Sequence, residues 1–329
     1  MKAQIIRSYG GPEVFETADI PRPEVKPGHI IISVAATSIN PVDYKVRQHG
    51  PGIAPELPAV LHGDVAGTVA EVGEGVTRFK VGDEVYACAG GVRGTGGALA
   101  EYMLADAGLV ALKPQSLTMA EAAALPLVVL TAWEGLVDQV KIEPGQTILV
   151  HAATGGVGHI VIQLAKAFGA KVFATASSDK KLEIGRGLGA DVVINYKTTG
   201  VEEYVKEYTG GKGFDIVFDT VGGKNLEASF QAVRIHGQVA SNAAGGSHDL
   251  SALSNKAANL HVVFMLLPML TGQGRAHHGE ILTEVAKLVD AGKVRPLVDP
   301  RQFTFEEVAE AHRYAESGNQ VGKVVLTRA

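Results

Sequence analysis

The sequence contains little cysteine and only a small excess of charge of one sign. Cys88 is the only cysteine among 329 residues, which rules out a disulfide within the chain. The formal net charge is −5, and no basic run interleaved with aromatic residues suggests a nucleic-acid surface. The N-terminus lacks the apolar run that a signal peptide needs. In the second half of the chain the longest apolar stretch, 262–270, is too short to cross a bilayer and contains a proline. These absences favour a cytoplasmic protein that binds neither nucleic acid nor membrane.

The segment 147–158 reads as a buried strand, a glycine-rich turn and the start of a helix. Its residues 148–150 form a short apolar run with β-branched members, as in strands covered on both faces. Gly155 would let the backbone approach a ligand, and Gly158 would let the helix pack closely on the strand. A second strand is predicted at 171–176, after a helix that ends at Gly169. The N-terminus of such a helix attracts a pyrophosphate.

The first glycine of the usual G-x-G-x-x-G pattern is Ala153 here, and structural turns also produce glycine strings. The frame of strand, helix and second strand nevertheless favours a dinucleotide site. The residues predicted to bind its pyrophosphate are Gly155, Gly156, Val157 and Gly158.

The end of the second strand indicates which dinucleotide is bound. An acid at this point would hold the ribose of NAD, but the strand ends at Ala176 and is followed by Ser177, Ser178 and, at 180–181, two lysines. Two charge-assisted hydrogen bonds of about 1.5–3 kcal/mol each would favour NADPH by roughly a hundredfold or more. Two other interpretations stay open: Asp179 could reach the ribose after a small register shift, or the serines could simply cap the next helix. We predict NADPH.

The pattern of elements changes along the chain. Residues 1–124 show short strands broken by Gly and Pro, typical of a compact, mostly antiparallel β-rich domain. In residues 125–265 six strands alternate with helical patterns, which predicts an α/β, doubly wound parallel sheet. Residues 266–329 hold an amphipathic helix and a final strand that return to the first domain. The six strands are predicted at 147–150, 171–176, 191–195, 215–220, 237–241 and 261–264.

Several ordered motifs together resemble the medium-chain dehydrogenase/reductase superfamily, and within it the zinc-independent NADPH:quinone oxidoreductase branch. They lie at 40–47, 63–67, 81–86, 152–158, 188–196 and 322–326, so that the resemblance covers nearly the whole chain. It implies a GroES-like catalytic domain, a Rossmann domain and a homodimer formed by extension of the Rossmann sheet.

The residues at the zinc positions favour the metal-free branch. Zinc-bearing relatives hold a structural metal with four cysteines, which this chain lacks. Their catalytic metal is bound by a Cys where this sequence has Asn40, and by His-Glu where it has Gly63-Asp64. His62 is one position away and would face the other side if this segment is a strand. A site of His62, Asp64 and Cys88 is the remaining alternative, which would make the protein a zinc alcohol dehydrogenase with unusual ligands.

Without a Lewis acid the substrate must accept hydride readily. A quinone or a small α,β-unsaturated carbonyl does so, because the incoming charge spreads onto a conjugated oxygen. The protein would align the reactants, exclude water and donate hydrogen bonds to that oxygen. Enoyl-thioester reductases of this superfamily carry a catalytic Tyr that the stretch 48–52 does not contain. A non-catalytic NADPH-binding protein of the same fold is the rival interpretation.

The resemblance also assigns roles to single residues. Asn40 would lie by the nicotinamide, and Tyr44 would donate to the substrate oxygen, with Arg47 as an alternative donor. The same string could instead be an ordinary turn and helix start, with Tyr44 packed at its edge. The remaining implied cofactor residues are Thr131 on the nicotinamide side, Lys181 and Tyr196 at the 2′-phosphate, Val221 and Ser241 at strand ends, and Phe264, Met265, Gly322 and Lys323 in the nicotinamide wall. Thr131 could instead bond its own helix, and the run around Phe264 could pair with a second subunit.

Overall fold

The computed structural model describes residues 1–328, which divide into two compact units. The β-rich unit comprises Met1–Leu130, Leu266–Gly292 and the chain from Pro296 onward. The parallel-sheet unit comprises Thr131–Met265 and Lys293–Arg295. Relative to the predicted limits, residues 125–130 thus lie in the β-rich unit.

The elements follow one another in three segments. The first contains β1 (Lys2–Ile6), β2 (Phe15–Asp19), β3 (His29–Ser38), α1 (Pro41–His49), β4 (Ala59–Val60), β5 (Asp64–Val72), β6 (Glu84–Cys88), β7 (Tyr102–Asp106), β8 (Val110–Leu112), α2 (Met119–Ala123) and α3 (Pro126–Trp133). The second contains β9 (Thr147–Val150), α4 (Gly158–Ala167), β10 (Lys171–Ala176), α5 (Asp179–Gly187), β11 (Val192–Asn195), α6 (Val201–Thr209), β12 (Phe214–Asp219), α7 (Lys224–Ala232), β13 (Val233–Ser241), α8 (Ser251–Asn255) and β14 (Asn259–Val262). The third contains α9 (Leu267–Thr271), α10 (Arg275–Asp290), β15 (Phe303–Thr304), α11 (Val308–Glu316) and β16 (Val325–Thr327). Short 3-10 helices lie at Pro12–Val14, Ala107–Leu109 and Phe305–Glu307, and a π-helix at Glu134–Gln139.

The parallel-sheet unit is built on six strands in the order β11-β10-β9-β12-β13-β14, all paired in parallel. This is the order of a doubly wound Rossmann sheet, so the predicted fold class is confirmed. Its strands are apolar along their length because helices cover both faces. One hydrophobic cluster contains Leu149, Phe173, Phe214 and Phe230, all at most 1% exposed.

The sixth strand differs from its prediction. It was expected at 261–264, but β14 pairs with β13 from Asn259 to Val262. Phe264 therefore lies beyond the strand. An apolar run does not mark where pairing with a neighbour begins and ends, and this explains the shift.

The β-rich unit contains a seven-stranded sheet and a three-stranded sheet. The larger has the order β15-β16-β3-β5-β6-β8, with β7 also paired to β3, and all its pairs except β15–β16 are antiparallel. Its central strand β3 is covered on both faces, since the consecutive residues Ile30, Ile31 and Ile32 are all 0% exposed. The mostly antiparallel first domain is thus confirmed.

The returning chain enters this sheet beside the end of β3. The Ile39 amide donates to the Val324 carbonyl at 2.9 Å, and the Lys323 amide donates to the Leu297 carbonyl at 2.8 Å. Gly322 makes this approach feasible: its φ is +73°, and a Cβ there would lie 1.9 Å from the Leu297 oxygen. Residue 323 is thereby fixed next to residue 40.

Within residues 1–328, no helix combines the length and the apolar character needed to cross a membrane.

Candidate functional site

The glycine-rich turn between β9 and α4 is held by backbone hydrogen bonds. The His151 amide donates to the Phe218 carbonyl at 3.0 Å, and the Ala153 amide donates to the Thr175 carbonyl at 2.9 Å. Ala152 has a φ of 55°, a left-handed conformation that a residue with a side chain rarely adopts. The turn is therefore fixed from both neighbouring strands.

The start of α4 offers free donors. Within the described chain, the amides of Gly156, Val157 and Gly158 have no hydrogen-bond acceptor. They lie at a helix N-terminus, which also carries a partial positive charge. This arrangement fits a pyrophosphate, as the sequence predicted for these residues.

The two flanking glycines differ in their surroundings. A Cβ on Gly158 would lie 2.2 Å from the Ala152 oxygen, whereas the nearest atom to a Cβ on Gly155 would be 3.3 Å away. Gly158 is thus required by packing, whereas a Cβ on Gly155 would need only a small shift of the Ala152 carbonyl.

The ends of β10 and β11 lie side by side. Ala176 pairs with Asn195, and the Tyr196 amide donates to the Ala176 carbonyl at 3.2 Å. Ser177 follows Ala176 directly, Lys181 lies in the first turns of α5, and Tyr196 is 54% exposed. The structure therefore groups a hydroxyl and a phenol at one edge of the sheet, with no acid at the tip of β10.

Sequence reasoning missed Asp219, which organises the ends of β12 and β13. Its buried carboxylate accepts hydrogen bonds from the Gly222 amide at 3.0 Å, the Asn225 side chain at 2.6 Å and the Ser241 hydroxyl at 2.9 Å. Ser241 is 0% exposed, so its hydroxyl positions the strand end, whereas Val221 is 55% exposed. An acid at the carboxyl end of a buried strand was the signal that could have found it.

Three other predicted cofactor residues of the parallel-sheet unit are placed as follows. Thr131 is buried within α3, Met265 is buried, and Phe264 is 43% exposed. Their predicted contacts with the nicotinamide stay predictions.

In the β-rich unit a buried polar cluster surrounds Asp64, the first residue of β5. One carboxylate oxygen accepts the Leu127 amide at 2.8 Å. The other accepts the Ser38 hydroxyl at 2.8 Å and the Asn40 side-chain amide at 2.7 Å. The Lys323 ammonium lies 3.5 Å from this second oxygen. We call Ser38, Asn40, Asp64 and Lys323 the Asp64 cluster.

Asp43 lies next to this cluster and caps α1. Its carboxylate accepts the Asn40 backbone amide at 2.7 Å. Burial raises the pKa of Asp43 to about 7, and nearby Asp64 adds to the rise, whereas Lys323 opposes it. This carboxyl group therefore exchanges its proton near neutral pH.

The two predicted hydrogen-bond donors on α1 have different surroundings. Tyr44 is half-buried, and burial together with Glu316 and Asp43 raises the pKa of its phenol, which stays protonated at neutral pH. Arg47 is 0% exposed and donates to Gly10, His312 and Glu316. Within the described residues Arg47 Nη2 has no hydrogen-bond partner, so the alternative that Arg47 donates to a substrate stays a prediction.

His62 is not in a strand, contrary to the expectation, and has a φ of 73°. Its ring lies between Thr37 and His312, with its Nε2 2.9 Å from His312 Nε2 and its Nδ1 3.3 Å from Thr37 Oγ1. Both ring nitrogens are thus occupied, and the alternative zinc site of His62, Asp64 and Cys88 lacks its histidine. Cys88 is fully buried opposite Asp64 in the β5–β6 pair, and burial raises the pKa of its thiol.

The tautomers of the two histidines follow from their neighbours. The Arg47 guanidinium can only donate, so His312 Nδ1 accepts, and the proton of a neutral His312 ring lies on Nε2. His62 then accepts at Nε2 and donates from Nδ1 to Thr37, whose hydroxyl donates to the Asp64 carbonyl at 2.6 Å. Burial lowers the pKa of His62 to about 3, and burial, His62 and Arg47 lower that of His312.

The glycine positions give a first prediction. Gly158→Ala should lower the thermal midpoint clearly, because overpacking against a carbonyl typically costs about 1–3 kcal/mol. Gly155→Ala should unfold near the wild-type midpoint but bind NADPH more weakly, measured by nucleotide titration. Equal losses of stability in the two variants would contradict the assignment.

The buried histidines give a second prediction. An unfolded histidine has a pKa of about 6.5, and the native pKa of His62 is about 3. The free energy of unfolding should therefore fall as the pH drops below about 6.5. Asp43 acts in the opposite direction between its ordinary pKa of 3.8 and about 7, but it is one carboxyl group against three buried histidines, His62, His151 and His312, whose pKa values are all lowered by burial.

Denaturant unfolding at several pH values checks this dependence. His312→Gln cannot titrate and should lose less stability on acidification than the wild type. The exposed His49→Gln serves as a matched control and should follow the wild type. One common pH dependence for all three proteins would argue against the histidine pair.

Comparisons with known proteins match the whole chain. The model of the alcohol dehydrogenase GroES-like domain matches residues 26–115, and that of zinc-binding dehydrogenases matches residues 188–326. The chloroplastic NADPH-dependent alkenal/one oxidoreductase of Arabidopsis thaliana is 37% identical over 335 residues, covering 99% of this chain and 79% of the relative.

Solved structures agree with this. An alcohol dehydrogenase superfamily protein from Novosphingobium aromaticivorans has a TM-score of 0.95 and 42% identity, with 100% of both chains covered. The quinone oxidoreductase of Escherichia coli, crystallised with NADPH, has a TM-score of 0.88 and 29% identity, covering 99% of this chain and 100% of the other. The chain therefore belongs to the medium-chain dehydrogenase/reductase superfamily, in its zinc-independent quinone oxidoreductase branch.

Proposed function

We propose that this protein is an NADPH-dependent oxidoreductase that transfers hydride to a quinone or a small α,β-unsaturated carbonyl without a metal. The observation that carries the proposal is the set of three free amides at the start of α4, together with a sheet edge that presents hydroxyls and no acid. Relatives named as an alkenal/one oxidoreductase and a quinone oxidoreductase support the two substrate classes.

The parallel-sheet unit carries the residues that would hold the cofactor. Gly156, Val157 and Gly158 would donate to the pyrophosphate, and Ser177, Lys181 and Tyr196 would hold the 2′-phosphate. Val221 and Ser241 would border the nicotinamide side. The Asp219 carboxylate positions both, because it accepts hydrogen bonds from the Val221 amide and the Ser241 hydroxyl. The bound cofactor would supply the hydride.

The β-rich unit would supply the polar contacts to the acceptor. The Tyr44 phenol is protonated at neutral pH and can donate to the oxygen that gains charge during hydride transfer. Asn40 is 1% exposed, and its amide is bonded inside the Asp64 cluster, so we assign it the support of the first turn of α1. Its place beside the nicotinamide stays a prediction. The reduced enolate or phenolate would take its proton from solvent.

The proposal is tested by NADPH oxidation, followed by absorbance, against benzoquinone, phenanthrenequinone and a small enone, with NADH in parallel. We expect turnover that prefers NADPH and resists a chelator. Nucleotide binding without turnover on any acceptor would favour the non-catalytic NADPH-binding protein. Loss of activity with chelator would favour a zinc enzyme.

A third prediction concerns cofactor choice. Lys181→Ala should raise the KM for NADPH about tenfold or more, because one charge-assisted hydrogen bond contributes about 1.5–3 kcal/mol. The KM for NADH should change little, since NADH lacks the 2′-phosphate. The neighbouring exposed Lys180→Ala is the control, and equal effects of the two variants would remove the assignment to Lys181.

A fourth prediction concerns the acceptor. Tyr44→Phe should lower kcat/KM for enone or quinone by about a hundredfold, the loss expected for one oxyanion donor. The KM for NADPH should stay unchanged. Tyr102→Phe, in β7 of the same unit and packed 4.3 Å from the Arg22 guanidinium, is the control. Wild-type acceptor kinetics in Tyr44→Phe would exclude a chemical role for this phenol.

Two further points belong to the proposal. Copies of the chain would pair along β14, the end strand of the parallel sheet, where Val262 is 58% exposed. The mass of the protein in solution tests this homodimer. A cytoplasmic location rests on the composition, above all on the single cysteine.

A further inference from the structure

Lys323 carries a positive charge inside the β-rich unit. The residue is 3% exposed, and its ammonium donates to the Ile39 carbonyl at 2.9 Å and to the Asn40 side-chain oxygen. Asp64 lies 3.5 Å away as the counter-ion. The three N–H groups of the ammonium therefore face three oxygens, and the side chain is directed at this cluster.

These contacts fix the orientation of the Asn40 amide. An ammonium can only donate and a carboxylate can only accept, so the Asn40 oxygen must face Lys323 and its nitrogen must face Asp64. A flipped amide would oppose donor to donor at one end and acceptor to acceptor at the other. Lys323 and Asp64 together thus fix the orientation of the Asn40 side-chain amide.

Asn40 in turn begins the helix that carries Tyr44. Its backbone amide donates to Asp43 at 2.7 Å, and α1 starts at the next residue, Pro41. Asn40 is thus the N-cap residue of α1, directly before the first turn, where Tyr44 lies.

We propose that Lys323 is a positioning residue for hydride transfer, and that its ammonium is the internal cation that holds residues 40 and 64 together. These are two of the positions that resemble metal-ligand positions of the zinc-bearing relatives. Here the Asn40 and Asp64 oxygens are already bound to the ammonium. The inference rests on the proposed function, because it acts through Tyr44.

A single substitution of Lys323 would not separate the loss of its charge from the loss of its hydrogen bond to Asn40. Lys323→Met leaves the Asp64 carboxylate buried without a counter-ion, which is strongly destabilising whatever else the lysine does. Removing both charges avoids this problem, since a neutral pair in place of a buried ion pair is often tolerated. The informative variants are therefore Asp64→Asn/Lys323→Met and Asp64→Asn/Lys323→Gln.

The two double variants match in charge and nearly in size. Both variants carry the same amide at residue 64, and only the glutamine variant also keeps a donor at residue 323 for the Asn40 oxygen. We expect both to fold and to have KM values for NADPH within about twofold of each other. The methionine variant should lose about 10- to 100-fold in kcat, as small misplacements at a reacting centre do, and the glutamine variant should lose less. Deuterated NADPH should give a larger isotope effect on kcat in the methionine variant than in the wild type.

The outcomes separate the inference from the proposed function. A wild type without turnover on any acceptor would refute the proposed function. A wild type that turns over, with equal kcat in the two double variants, would overturn the role of Lys323. If neither double variant folds, zinc titration of the wild type decides: one tightly bound zinc per chain would overturn the assignment, and no zinc binding would support it.

Discussion

The buried ion pair of Lys323 and Asp64 joins distant segments of the chain inside the β-rich unit. The chain leaves this unit after Leu130 and returns at Leu266, so the contact joins segments more than 250 residues apart. A buried charge is tolerated only when it is paired and hydrogen-bonded. Lys323 meets this condition only where Ile39, Asn40 and Asp64 are all in place. The last segment of the chain therefore packs on the sheet only when the Asp64 cluster is also formed.

Most of the fold could be predicted from local sequence signals. The run at 148–150, the glycines at 155 and 158 and the later apolar strands predicted the doubly wound sheet, because periodicity and turn chemistry act within a few residues. The same signals marked the free amides at the start of α4 and the missing acid after Ala176. They did not set the limits of β14, which depend on its pairing with β13.

The contacts that could not be predicted are those between distant segments. The residues that flank Arg47 in the sequence do not indicate its contact with His312. Those that flank His62 do not indicate that this non-glycine residue adopts a left-handed backbone conformation. The place of Lys323 in the nicotinamide wall, implied by the resemblance, stays a prediction, and the direction of its side chain toward Asn40 and Asp64 required the packed sheet. Asp219 was overlooked because its partners Asn225 and Ser241 come together only when β12 and β13 lie side by side.

Quinones and enones are electrophiles that alkylate accessible thiolates, since the thiolate and not the thiol is the reactive species. Cys88 is 0% exposed and its pKa is raised by burial and by Asp64 and Asp43. It is also the only cysteine of the chain. An enzyme of this composition presents no thiolate to the compounds that it reduces. Alkylation of a thiolate by these compounds is therefore not a route by which the folded enzyme is inactivated.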